Sequence, residues 1–166
     1  MFTINSLFDV NYTISALLII TPERRREGVA TTLEDHVKRN EQQAARVLKE
    51  MGSTVNELRF QGLLKEYIRL RFLLDDDPFW SDDLDEFAKY SIKKTMERSG
   101  DPTKLRDLGI NCAGASSSIT KRLLLIISLR KGLGIDLDPE KAATAETLGE
   151  LSCLLHCAQQ QKGSAS

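Results

Sequence analysis

Two cysteines and a histidine lie close together near the carboxyl end of the sequence. Cys153, His156 and Cys157 stand at positions i, i+3 and i+4, which on a helix brings the three side chains to one face. Thiolate and imidazole are good zinc ligands, and Cys112 or His36 could supply a fourth. The chain has no paired Cys-x-x-Cys knuckles, however, and leucines flank the three residues. We therefore interpret them as part of a helical core and expect no metal site.

Nucleophilic catalysis would require a cysteine or serine beside a base, and the chain has 2 histidines to serve as that base. A pair formed by Cys112 and His156 has no local motif behind it. Gly109 and Gly114 lack the spacing and the lysine of a nucleotide-binding loop. A small thiol enzyme centred on Cys112 is the weakest of three hypotheses, and the sequence favours a protein that is not an enzyme.

Length and charge exclude several classes of protein. The chain has 166 residues, with 23 lysines and arginines against 24 acidic residues, so no strong field attracts nucleic acid or an anionic membrane. The apolar stretch from Tyr12 to Ile20 is too short to span a bilayer. An odd number of cysteines, 3, argues against a disulfide framework. We expect a soluble, cytoplasmic protein that binds neither nucleic acid nor membrane.

The spacing of apolar residues predicts an all-α protein. Residues 7–20 fit both a strand and a helix, and a helix is preferred. Thr32 is the expected N-cap of a helix that runs to about Met51. The next helix, from about Thr54 to Leu74, has an apolar surface too wide for a single neighbour and should be central. The acidic run at residues 75–77, followed by proline, should end it as a turn and is a weaker candidate for a metal site.

Three further helices are predicted in the second half of the chain. The middle one is so apolar through residues 123–127 that we expect it to be buried on most sides. A loop rich in glycine, asparagine and serine, residues 101–117, precedes it. The predicted helices are one capped by Ser81 or Asp82 and ending before Gly100, one from about Ser118 to Lys131, and one from about Thr147 to Gln160.

Three motifs of the second half carry a resemblance to a known family. They are Asp107-Leu108-Gly109 in the loop, Leu133-Gly134-Ile135-Asp136-Leu137 after the apolar helix, and residues 143–151 at the start of the last helix. In this order and spacing they resemble the acyl carrier proteins and related phosphopantetheine carrier domains. The resemblance covers about half the chain. It implies an acyl-carrier-like helical bundle, residues 78–166, with an N-terminal helical segment, residues 1–77, as an extension.

The resemblance also implies that one serine near the start of the apolar helix carries a 4'-phosphopantetheine arm. A helix N-terminus suits the phosphate of the arm, because its amides are free and its dipole end is positive. Ser118 is preferred, since Ser117-Ser118-Ile119 is similar to the Asp-Ser-Leu or Asp-Ser-Ile of the family. The alternatives are Ser117, Ser116 and Cys112, which stands at the family's distance from Asp-Leu-Gly.

The implied function is that of a carrier that presents a thioester-bound acyl or aminoacyl group to partner enzymes, after modification by a phosphopantetheinyl transferase. Lys121 and Arg122 make the apolar helix basic, so a partner that docks there is expected to be acidic. The alternative is a degenerate, unmodified carrier fold that acts as a helical protein–protein interaction module. This module would use the apolar surface of Thr54 to Leu74 to bind a partner or, as a homodimer, its own copy.

Overall fold

The computed structural model describes residues 32–99 and 117–164, and within these ranges the protein is built of α-helices. The all-α prediction is confirmed for this part of the chain. One isolated bridge joins Asp83 to Thr147. The predicted element at residues 7–20 and the alternative sites Ser116 and Cys112 lie outside the described residues. The helices are α1 (Leu33–Ser53), α2 (Glu57–Arg71), α3 (Leu84–Ser99), α4 (Ser118–Leu133), α5 (Pro139–Ala143) and α6 (Leu148–Ser164).

Helix α1 begins where the sequence predicts it, because Thr32 forms a capping box with Asp35. The Thr32 hydroxyl accepts the Asp35 N–H at 3.2 Å, and the Asp35 carboxylate accepts the Thr32 N–H at 3.3 Å. A cap of this kind stabilises a helix by about 1 kcal/mol. The buried side of α1 includes Val37, Ala44 and Met51, and the helix packs along α2.

Helix α2 ends at Arg71, three residues before the predicted end at Leu74. The Leu74 N–H bonds back to the Arg69 carbonyl at 2.9 Å, and Leu73 between them has a φ of 57°. This is the hydrogen-bond pattern of a Schellman turn, in which glycine usually takes the left-handed position. Leu73 is buried, so its apolar contacts offset the backbone strain. The sequence carries no glycine there to mark the helix end.

The acidic run after α2 forms a turn, as predicted. The Asp77 side chain is buried in it and accepts the Phe79 N–H at 2.9 Å and the Tyr90 hydroxyl at 3.1 Å. The Lys94 ammonium lies 3.6 Å from the same carboxylate. Helix α3 then begins with its first-turn N–H groups bonded to Asp83, just after the caps predicted from the sequence.

Helix α4 starts at the predicted residue but is not buried on most sides. Ser117 caps it by accepting the Thr120 N–H at 3.2 Å, and Gly134 ends it with a φ of 60°. The expectation of burial on most sides is wrong because the apolar run at residues 123–127 passes around the helix. One face of α4 enters the core through Leu125, Ile126, Leu129 and Leu133, while Leu123 and Ile127 are exposed.

One continuous core joins the helices of both predicted segments. It includes Phe60 and Leu64 of α2, Phe87 of α3, Leu129 of α4 and Leu155 of α6. Helix α1 packs on α2 and α4, and α2 packs on α6. Most of the apolar surface of α2 that the module hypothesis assigned to a partner therefore lies inside the protein, while Val55 and Leu58 at its start are exposed. Within the described ranges, no helix has the length and apolar character needed to cross a membrane.

Candidate functional site

The candidate site lies at the amino-terminal end of α4. Ser118 is the first residue of the helix and is partly exposed. Ser117, just before it, accepts the Thr120 N–H and donates its own hydroxyl proton to the Thr120 hydroxyl at 2.8 Å. Ser117 is therefore engaged in capping the helix. Ser118 is the serine of this pair that lies near a side chain of another helix, Asp85 of α3.

Asp85 of α3 provides a carboxylate beside Ser118. The Lys89 ammonium lies 2.7 Å from it. Lys89 first, then the neighbouring Ser118, and last the charge of Arg122 hold the pKa of Asp85 below its ordinary value, although burial acts in the opposite sense. Asp85 is thus ionised at neutral pH and lies near the Ser118 side chain. Asp85 was not predicted from the sequence, because it lies on a different helix from Ser118 and no local motif marks it.

The structure places Lys121 in the interior and not on a docking surface. Its residue exposure is 0%, and its ammonium lies 5.1 Å from the centre of the Phe72 ring. The reason is helical spacing, because Lys121 shares the i, i+4, i+8 stripe of Leu125 and Leu129, which face the core. A buried ammonium cannot meet an acidic partner. Lys121 is therefore removed from the docking surface expected from the sequence.

Arg122 connects α4 to the segment between α5 and α6. Its guanidinium donates to the Ala143 carbonyl at 3.1 Å and to the Ala145 carbonyl at 2.5 Å. These carbonyls belong to the motif at residues 143–151. Arg122 is partly buried. Its two bonds fix the position of the site relative to the last helix, a structural role that was not expected from the sequence.

An apolar ridge runs along the exposed side of α4, beginning next to Ser118. We call Ile119, Leu123 and Ile127 the α4 ridge; their exposed fractions are 75%, 39% and 46%. Positions i, i+4 and i+8 lie on one side of a helix, so the three side chains form a continuous row. Adjacent large apolar side chains exposed on a folded protein are typical of a surface that binds another molecule.

The two cysteines of α6 are exposed, so the core interpretation is wrong for them. Leu151 and Leu155 fill the core face of α6, which turns Cys153 and Cys157 towards solvent. His156 is partly buried, and its ring lies 5.3 Å from that of Phe60 between centroids. In the part of the chain that the structure describes, the three side chains do not converge on a single ligand position.

A second polar cluster joins α1 to the turn after α2. His36, Asp75 and Asp76 have candidate ligand atoms within 4.8 Å of one another, but all three make internal bonds. His36 Nε2 lies 2.8 Å from Asp75 Oδ1, and Asn40 donates to the same oxygen at 2.6 Å. Asp76 pairs with Arg98 at 2.7 Å. Burial raises the pKa of Asp75, but the bonds from Asn40 and His36 outweigh it, so this pKa lies below its ordinary value. The cluster therefore holds α1 against the turn that follows α2.

The fold and the site define an all-α protein with a partly exposed serine at a helix start, beside an ionised carboxylate and an apolar ridge. Comparison with protein-family models, curated proteins and solved structures found no match to this chain. The functional proposal therefore rests on the residues of the chain itself.

Proposed function

We propose that this protein is an acyl-carrier-like protein whose Ser118 carries a 4'-phosphopantetheine arm. The observation that supports this most is the position of Ser118 as the first residue of α4, partly exposed and near the ionised Asp85. Ser117 supplies the cap, so Ser118 is not needed for that role. The protein performs no chemistry on its cargo and presents a thioester-bound acyl or aminoacyl group to partner enzymes.

The chemistry of attachment suits this position. A phosphopantetheinyl transferase joins the Ser118 oxygen to the phosphate of the pantetheine arm of coenzyme A. The phosphoanhydride bond of coenzyme A breaks, adenosine 3',5'-bisphosphate leaves, and the serine hydroxyl loses its proton. The ionised Asp85 lies beside the hydroxyl, and Lys89 offsets the negative charge of Asp85. The positive dipole end of α4 stabilises the phosphodiester that results.

The order of helices gives further support. The resemblance implies a long loop, a helix that starts at the modified serine, and a last helix that begins in the third motif. In the structure the second motif, residues 133–137, begins at the last residue of α4. The third motif, residues 143–151, runs into the first turn of α6. Thr147 and Glu150 cap α6, because the Thr147 hydroxyl accepts the Glu150 N–H at 3.2 Å. Two of the three motifs therefore stand at helix boundaries, as a carrier bundle requires.

The α4 ridge is the proposed docking surface for the partner enzymes. It replaces the basic surface expected from Lys121 and Arg122, which are buried or engaged with backbone carbonyls. A few residues near the centre of an interface contribute most of its binding energy. The ridge lies beside the arm, so a docked enzyme would have the thioester within its reach. We propose a cytoplasmic location, because the odd number of cysteines, 3, argues against a disulfide framework.

A second candidate function is an unmodified helical interaction module. The α4 ridge favours it as well, because an exposed apolar row binds a partner protein or a second copy of the chain with or without an arm. In this case the partner would contact the continuous row on α4, because most of the apolar surface of α2 is buried. Attachment of the arm is the property that separates the two candidates.

The test is a modification reaction. The purified protein is incubated with coenzyme A and a phosphopantetheinyl transferase of broad specificity, the intact mass is measured, and the modified residue is located by peptide fragmentation. One phosphopantetheinyl group on Ser118 supports the carrier. Addition at Ser117, Ser116 or Cys112 contradicts the assignment of the site. If no group is added while a known carrier in the same tube is fully modified, the carrier proposal is wrong and the interaction module remains.

A further inference from the structure

Two exposed thiols stand next to each other on α6. Cys153 and Cys157 are one helical turn apart, and neither forms a disulfide. The neighbouring Cys157 side chain is the main reason why the pKa of Cys153 is raised, and burial and then the carboxylate of Glu57 on α2 contribute to the same effect. Cys153 is therefore protonated at neutral pH.

The geometry of a helix disfavours a disulfide between these residues. Side chains at i and i+4 have Cβ atoms roughly 5–6 Å apart. A disulfide needs about 3.5–4.5 Å between the same atoms. Closing the bond would therefore distort the middle of α6, whose inner face packs in the core through Leu151 and Leu155. The pair stays reduced at little cost and remains available for another chemistry.

The same spacing suits an ion held between two sulfur atoms. A zinc–thiolate bond is about 2.3 Å long, and a two-coordinate ion with bonds of similar length spans about 4.6 Å from sulfur to sulfur. Two thiols whose Cβ atoms are roughly 5–6 Å apart reach this separation by rotation of their side chains alone. Thiolates select soft metals, among them Cu(I).

We propose that Cys153 and Cys157 bind one soft, thiophilic metal ion, Cu(I), as a two-coordinate bis-thiolate. The two S–H bonds break, two metal–sulfur bonds form, and two protons are released to solvent, with no change in oxidation state. This site does not depend on the carrier function of Ser118. It adds a metal-binding activity on a separate helix.

The surroundings favour two-coordination over a zinc site. Structural zinc is almost always held by four ligands. His156, the nearest candidate for a third, packs against Phe60 and has its Nε2 3.4 Å from the Gln160 amide nitrogen. Glu57 faces the pair from α2, where its charge attracts a cation but also raises the pKa of the Cys153 thiol. Binding should therefore be weaker at acidic pH, because both protons must be displaced.

The experiment is an anaerobic titration of the full chain with Cu(I) against a coloured Cu(I) chelator. Cys112→Ser removes the third cysteine and should keep one ion per chain with unchanged affinity. Cys153→Ser and Cys157→Ser, both at exposed positions, should each weaken binding by roughly a hundredfold, because a single thiolate remains. Circular dichroism of each variant shows that it is folded.

Two further readouts distinguish the pair from adventitious thiol binding. With two protons released, the affinity should rise about a hundredfold per pH unit between pH 6 and 7. A tenfold rise would indicate one thiolate and would overturn the proposal. Retention of the ion in Cys153→Ser, or its loss in Cys112→Ser, would also overturn it. His156→Ala should change the affinity by less than about twofold, and a larger loss would contradict two-coordination.

Discussion

Replacement of Asp77 by alanine should lower the free energy of unfolding by about 3 kcal/mol. The side chain is only 9% exposed and accepts the Phe79 N–H at 2.9 Å and the Tyr90 hydroxyl at 3.1 Å, with Lys94 at 3.6 Å. Hydrogen bonds to a charged group contribute about 1.5–3 kcal/mol each. Asp77→Ala loses two such bonds. Tyr90 is only partly buried, so in the variant water bonds to its hydroxyl and lowers the cost of that loss. The expected total is therefore about 3 kcal/mol.

The effect should depend on pH in a defined direction. The Phe79 N–H, more than Tyr90 and Lys94, holds the pKa of Asp77 below its ordinary value, although burial acts in the opposite sense. The unfolded carboxyl has a pKa of about 3.9, so its ionised form stabilises the folded state above that pH. This stabilisation is lost as the pH falls through the lower pKa of the folded state. The difference between wild type and Asp77→Ala should therefore shrink below about pH 4.

The assay is urea unfolding followed by far-ultraviolet circular dichroism at pH 7 and at several values below pH 4. Asp76→Ala is the matched control, because Asp76 pairs with Arg98 through a side chain that is 60% exposed. It should change the free energy of unfolding by less than about 1 kcal/mol. A loss of less than about 1 kcal/mol in Asp77→Ala at pH 7 would refute the reasoning, as would a loss that stays constant with pH.

Two other predictions concern α4. Gly134→Ala should destabilise the protein by about 1–2 kcal/mol, because Gly134 has a φ of 60° and a Cβ there would lie 3.0 Å from Lys162 Nζ. An unchanged midpoint of urea unfolding would contradict this left-handed turn. Leu129→Ala, at 0% exposure, should cost about 2–5 kcal/mol, whereas Ile127→Ala, at 46% exposure, should cost much less. Equal shifts of the two melting temperatures would mean that the buried face of α4 has been assigned wrongly.

The helix starts were the most predictable part of the fold, because each is marked by a residue with a local role. Thr32 caps α1 through Asp35, and Ser117 caps α4 through Thr120. Such bonds connect residues three apart in the chain, so they are visible in the sequence. Gly134 likewise marks the end of α4. The end of α2 was misplaced because a buried leucine, Leu73, takes the position that glycine usually occupies.

Burial along α4 was less predictable. Apolar residues fill positions 123–127 on all sides, so the pattern does not show which side faces the core. The structure buries Leu125 and leaves Leu123 exposed, and it also buries Lys121 on the core stripe. A lysine is rarely buried, so sequence reasoning assigned it to the surface. Only the packing of α4 against α1 and α3 reveals both features.

The candidate site was predicted in part. The resemblance to carrier domains pointed to Ser118 through Ser117-Ser118-Ile119, and Ser118 stands at a helix start in the structure. Asp85 beside it could not be predicted, because the two residues lie on different helices, α3 and α4. The exposure of Cys153 and Cys157 depends on the rotation of α6, which two leucines set by entering the core.

The most direct test of the carrier proposal compares two neighbouring serines in the transferase reaction with coenzyme A. The account predicts that Ser118→Ala gains no phosphopantetheinyl group, while Ser117→Ala, which loses only a helix cap of about 1 kcal/mol, is modified like the wild type. Both variants are first shown to be folded by circular dichroism. Modification of Ser118→Ala would contradict the carrier proposal. An unmodified wild-type protein beside a fully modified control carrier would also contradict it.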